Sequence, residues 1–169
     1  MYAPHPWEEL LRRLDPGITV MADFEYGGID NISGKSRPID EYSLIYVGPG
    51  ERYKSIARCA AKHGLHHASK LQLGATHEMG TVANMPLLSH IYQKLAYLKN
   101  DHCEGVFGTW NFGNRFTINT AAFGLSMKNP DLNETDLFLS ELAREYIGVE
   151  DGAGFIKSVQ RPATIIFTH

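Results

Sequence analysis

The sequence predicts an α/β domain built on a parallel sheet. Three segments read as buried strands that end in polar and aromatic side chains: 18–25 (ITVMADFE), 70–78 (KLQLGATHE) and 104–111 (EGVFGTWN). Helical periodicity fills the intervals between them. The order β–α–β–α–β–α favours parallel neighbours, because a parallel pair needs a long crossover that a helix supplies. In such folds the strand C-termini carry the chemistry. Asp23, Glu25, His77, Glu78, Trp110 and Asn111 are therefore expected on one rim.

The elements follow in order. Residues 7–14 pattern as an amphipathic helix, with Trp7, Leu10, Leu11 and Leu14 on one face. Asp15-Pro16-Gly17 ends it, and 18–24 reads as the first strand. Residues 26–41 read as loop: Gly27-Gly28, Asp30-Asn31, Ser33-Gly34 and Arg37-Pro38 all break regular structure. Long polar loops inside a compact domain are often functional. The apolar run 42–47 (YSLIYV) fits a short strand.

The clearest helix spans 49–63. Pro49 suits its first turn and Glu51 its positive end. Tyr53, Ile56, Ala57, Ala60 and Ala61 form its apolar stripe, and Gly64 its left-handed stop. A second strand covers 68–75, followed by a polar loop closed by Pro86. Helix 87–99 presents Leu87, Leu88, Ile91, Leu95 and Leu98 on one face. The third strand spans 105–110. Residues 117–130 carry a weaker helical pattern around Thr120-Ala121-Ala122. The last helix, 135–147, has Leu139, Leu142, Ala143 and Tyr146 inward and is stopped by Gly148. Residues 164–168 (TIIFT) read as β.

A chain of 169 residues suffices for one domain with a real core. We expect one domain over 1–169, with its core at 15–148 and an irregular tail at 149–169. A complete (β/α)8 barrel typically takes about 250 residues. The expected architecture is thus either a smaller α/β sheet or part of a barrel. The net charge of −3 argues against a general nucleic-acid surface. The N-terminal MYAPHPWEELL lacks the basic and apolar regions of a signal peptide, and no apolar run is long enough to span a membrane. Cys59 and Cys103 are too few and too far apart for a disulfide framework. A cytoplasmic location is the resulting expectation.

Four constellations point to chemistry. Asp23 and Glu25 alternate onto one side of an extended strand, where paired carboxylates raise one pKa and create a general acid. His77-Glu78 places a carboxylate beside an imidazole, suited to a nucleophile or an acid/base. Trp110 offers an aromatic face to the C–H side of a sugar ring, and Asn111 makes paired hydrogen bonds to hydroxyls. Tyr26 is a further aromatic in the loop after the first strand. His63, His66, His67 and His77 form the fourth group. His66 and His67 point to opposite faces of an extended segment, which spoils joint chelation, so no metal is expected. Gly48-Pro49-Gly50 precedes a helix as a phosphate cradle would, but no dinucleotide or Walker pattern accompanies it. No cofactor is expected.

Taken together, MADFEYGG, YSLIYVGPGERY, AKHGLHHASKLQLGATHE, NMPLLSHIYQKL and EGVFGTWNFGN resemble the later strands of bacterial TIM-barrel proteins related to glycoside hydrolases. The resemblance runs from about Ile18 to Tyr146. It implies a partial (β/α)8 barrel, roughly a half-barrel, acting on or binding carbohydrate. By that resemblance Glu78, Asp23 and Glu25 supply catalytic carboxylates and Trp110 the sugar-binding floor; His77, Asn111 and Tyr26, read from the residues themselves, are the further substrate-binding candidates. The early strands of such a barrel are absent from this sequence. A half-barrel leaves two open sheet edges, which favour self-association. The alternative is a non-catalytic module, or an inactive fragment, that associates through those edges.

Overall fold

The computed structural model describes residues 7–32, 34–40, 43–74, 84–108, 116–129, 135–150, 152 and 154–158. Among the described residues the elements follow in the order α1 (Trp7–Leu11), β1 (Thr19–Asp23), β2 (Ile29–Ile32), β3 (Lys35–Pro38), α2 (Glu51–Lys62), β4 (His66–Leu71), α3 (Leu88–Asn100), β5 (Gly105–Gly108), α4 (Ile118–Lys128) and α5 (Thr135–Tyr146). Strands β1, β4 and β5 form a parallel sheet in that order. Its register pairs Thr19 with His66 and Asp23 with Lys70, then Ala68 with Gly105 and Leu71 with Gly108. The fold is α/β, and the described strands form an open sheet rather than a closed barrel.

The strand order is sequential, so both crossovers step the same way across the sheet. Right-handed crossovers then place α2 and α3 on one face. The core sits there. Ala22 and Phe24, with Leu71, pack against Tyr53, Ile56 and Ala60 of α2 and against Ile91, Leu95 and Leu98 of α3. Phe24 meets the Tyr53 ring edge-on, with centroids 5.2 Å apart. Helices α4 and α5 extend the same core through Ala121, Leu125, Phe138 and Leu142. On the opposite face Met21 remains 54% exposed.

The stop of α2 follows from Gly64. Its φ of +70° lets the chain turn left-handed without a Cβ clash. The Gly64 N–H then donates to Ala61 O and the Leu65 N–H to Ala60 O, a Schellman motif that satisfies the last carbonyls. At α4 the signal is an N-cap. The Thr117 N–H donates to Thr120 Oγ1 at 2.8 Å, and the Thr117 hydroxyl oxygen accepts from the Thr120 N–H. Thr117→Ala is expected to lower stability by about 1 kcal/mol, read as a shift in the urea midpoint. No shift would mean that the cap does not hold the helix start.

Several sequence expectations need correction. The 26–41 stretch contains an antiparallel hairpin, β2–β3, with Ile29 opposite Pro38 and Ile32 opposite Lys35. Its Ser33-Gly34 turn signal is a hairpin signal, with Gly34 at φ +73°. Residues 43–47 form no strand. They run as a bend in which the Tyr46 N–H donates to Ser43 Oγ at 2.8 Å. The second strand lies earlier than expected, at His66–Leu71, and α1 stops at Leu11. Helix α2 begins at Glu51, with Gly50 as N-cap and Pro49 outside it. The weak pattern after 117 is a full helix, α4, and the tail contains helical residues at 154–158. The β reading of 164–168 lies outside the described residues.

Candidate functional site

The C-termini of β1, β4 and β5 lie at one end of the sheet, because the strands are parallel and in register. Of the expected site residues, Asp23, Glu25 and Tyr26 stand at this rim. His77, Glu78, Trp110 and Asn111 lie outside the described residues. The chain leaves the described part at Gly74 and re-enters at Asn84, and the Asn84 N–H donates to Gly74 O at 2.7 Å.

Asp23 and Glu25 do not share a partner. The strand ends at Asp23 and the chain bends through Phe24 and Glu25, so two-residue alternation no longer governs where Glu25 points. Asp23 pairs with Lys70 of the neighbouring strand at 2.6 Å and keeps about a quarter of its side chain exposed. Glu25 is 1% exposed. Its Oε1 accepts from Lys94 Nζ of α3 at 2.7 Å and from the Gln72 N–H at 3.2 Å. Burial pushes the Glu25 carboxyl above its ordinary range, while the Lys94 ammonium and the Gln72 amide pull it back. An accessible general acid is therefore not what Glu25 provides. It anchors a buried ion pair.

That pair belongs to a wider polar frame. Lys94 Nζ also donates to Ser43 O at 2.6 Å, so one ammonium ties the segment after β1 to the bend at 43–47. Gln72 Oε1 accepts from the N–H groups of Leu73 and Gly74 at the end of β4. Asn119, in the first turn of α4, donates to Leu73 O and to Met85 O, both at 2.8 Å. Together these side chains pin both sides of the 74–84 neck and the segments beside it. Sequence reading missed Lys94, Gln72, Ser43 and Asn119. A signal for Lys94 existed: it falls three after Ile91 and four before Leu98, in the middle of an apolar stripe.

The Tyr26 ring is half-buried and has the Arg52 guanidinium over one face at 4.7 Å. The Gly48-Pro49-Gly50 turn serves backbone packing. The Gly50 N–H donates to Phe24 O at 2.8 Å, and a Cβ on Gly50 would lie 2.1 Å from Tyr26 O. That amide is already engaged, so it does not await a phosphate.

His66 and His67 take different partners. His66 Nδ1 lies 2.6 Å from Glu104 Oε1, and His67 Nε2 lies 3.3 Å from Asp101 Oδ2. Among the described residues no group of three or more His, Cys, Asp or Glu side chains is arranged to hold a metal. Nor is any described helix long and apolar enough to cross a membrane.

Comparison with protein-family models, with curated proteins and with solved structures gives no match for this chain.

Proposed function

We propose that this chain is a glycoside hydrolase-like domain, the later part of a (β/α)8 barrel, which binds or acts on carbohydrate at its strand C-termini. The supporting observation is topological. Sequential parallel strands with both crossovers on one face are the arrangement of barrels, whereas doubly wound sheets carry helices on both faces. The same topology gives the three site-bearing segments a common rim. In this reading Asp23 and Glu78 are the carboxylate pair of an oxocarbenium-like hydrolysis. Trp110, Asn111, His77 and Tyr26 hold the sugar. Glu25, tied to Lys94, supports the rim from below.

Calorimetry with a panel of neutral mono- and oligosaccharides tests binding, and aryl glycosides test turnover. Binding with measurable turnover is expected, and Asp23→Asn or Glu78→Gln should reduce turnover about 100-fold or more while folding is retained. Turnover unchanged in Glu78→Gln removes that residue from the mechanism. Neither binding nor turnover in the parent protein ends the carbohydrate reading.

One observation favours a second reading, a non-catalytic module that self-associates. Met21 stands exposed on the sheet face away from the helices, and parallel sheets are normally covered on both faces. Light scattering after size exclusion should then report an oligomer that Met21→Lys converts to monomer. A monomer at every concentration excludes it.

A further inference from the structure

At the opposite end of the molecule, α1 and α2 enclose a groove of about 740 Å³. Its position follows from the direction of α2. Gly50, just before that helix, bonds to Phe24 at the rim, whereas Lys62 at its end leads into the start of β4. The groove is lined by the last two turns of α2 and lies near the strand N-termini, away from the rim.

Its two walls differ in chemistry. The α2 wall presents Ser55, Arg58, Lys62 and His63. Arg58 and Lys62 are four residues apart on one helix face, about 6 Å along the axis, a spacing at which two cations converge on one anion. The Arg58 Nε–H donates to Lys54 O at 3.2 Å, which fixes the root of the guanidinium and leaves its outer N–H groups available. The α1 side presents Trp7, Glu8 and Glu9, with Arg12 just beyond the helix. Glu9 is already engaged by Arg12 and Arg13, so Glu8 is the carboxylate on that wall with acceptor capacity to offer. Trp7 is half-buried and packs against the core, which holds its ring in place at low entropic cost.

A simple phosphate would use one wall and face a carboxylate on the other. A neutral sugar would leave the cations unanswered. We propose that this groove binds a monosaccharide phosphate: the phosphate on Arg58 and Lys62, the C–H face of the ring on Trp7, and a hydroxyl donating to Glu8. Arg58 then acts through charge-assisted, bidentate hydrogen bonds. The site is separate from the rim and does not depend on the carbohydrate reading given above.

The test uses the full chain with Trp110→Phe, which leaves Trp7 as the sole tryptophan. Its fluorescence is titrated with glucose 6-phosphate, inorganic phosphate and glucose in separate arms. The phosphorylated sugar should shift Trp7 emission saturably, and more strongly than either component alone. Arg58→Ala with Lys62→Ala, both on the exposed face of α2 and outside its packed stripe, should weaken binding at least about tenfold. Added salt should weaken binding in the parent and much less in the double variant. Glu8→Gln should weaken the phosphorylated sugar but not inorganic phosphate. No saturable shift, or equal affinity in the double variant, overturns the proposal. Equal affinity for inorganic phosphate overturns the sugar half of it. Neutral-sugar binding in the parent protein, read by calorimetry, with no saturable Trp7 shift in any arm overturns this proposal and leaves the rim reading standing; a saturable Trp7 shift without neutral-sugar binding in the parent does the reverse.

Discussion

Lys94→Ala is expected to destabilise the protein by about 3–5 kcal/mol, the scale for removing one partner of a buried ion pair. Lys94 is 0% exposed and Glu25 1%, so neither charge reaches water to recover its hydration. Loss of the ammonium strands the Glu25 carboxylate and deprives Ser43 O of its donor. The pH dependence carries a definite sign. Burial raises the folded pKa of Glu25 above its ordinary 4.5, and in the variant the opposing ammonium is gone. A raised folded pKa means that its contribution is fully present below the unfolded value and is lost as pH rises through the folded one. The deficit against wild type should therefore be smallest near pH 4.5 and grow toward neutrality. Urea unfolding across that window measures it. Lys94→Met combined with Glu25→Leu should recover part of the loss, because no charge is left buried, while Ser43 O still lacks its Lys94 donor and the Gln72 N–H its Glu25 acceptor. A loss under about 1 kcal/mol in Lys94→Ala would show that water reaches the pair.

Gly50→Ala should cost about 3 kcal/mol, the upper end of ordinary overpacking penalties. The reason is steric and not conformational, since Gly50 has φ −69° and ψ 155°, which any residue adopts. An added Cβ would stand 2.1 Å from Tyr26 O and 2.8 Å from Glu25 O. Both obstacles are backbone, so no rotamer change relieves them. The α2 start would have to move off the rim, breaking the Gly50 N–H bond to Phe24 O. Thermal melting, with the rim residues followed by amide exchange, checks it. A variant as stable as wild type would mean that this turn packs more loosely than its hydrogen bonds indicate. Gly34→Ala provides a contrast, because space there is open and only its positive φ resists substitution.

Much of the fold was legible because its signals are local. The apolar stripes of α2, α3 and α5 repeat at helical spacing, and Gly64 and Gly148 mark helix ends by a conformation that glycine adopts without strain. The parallel sheet followed from strand and helix alternation. The hairpin was obscured by its polar composition: Asp30, Asn31, Ser36 and Arg37 lie on a mostly exposed ribbon, so no alternating apolar pattern betrays it. At 42–47 the apolar pattern was present, but Leu44 is buried within a bend, with Met85 and Leu87, rather than in a strand. The site was legible only in part. Strand-end positions are a matter of topology, which sequence order constrains. Whether a strand-end carboxylate meets solvent or a lysine depends on a helix nearly seventy residues away, and no local pattern encodes that meeting.

The bond between Gly74 and Asn84, braced by Gln72 and Asn119, clasps the end of β4 to the segment that leads into α3. A clasp of this kind makes strand end and helix approach answer to the same few hydrogen bonds. The register of β4 against β1 is thereby set on the strand side of that clasp, by Gln72 and the ladder beneath it. Cutting either brace should therefore loosen the end of the strand and the approach to α3 together, which makes the two a single cooperative unit.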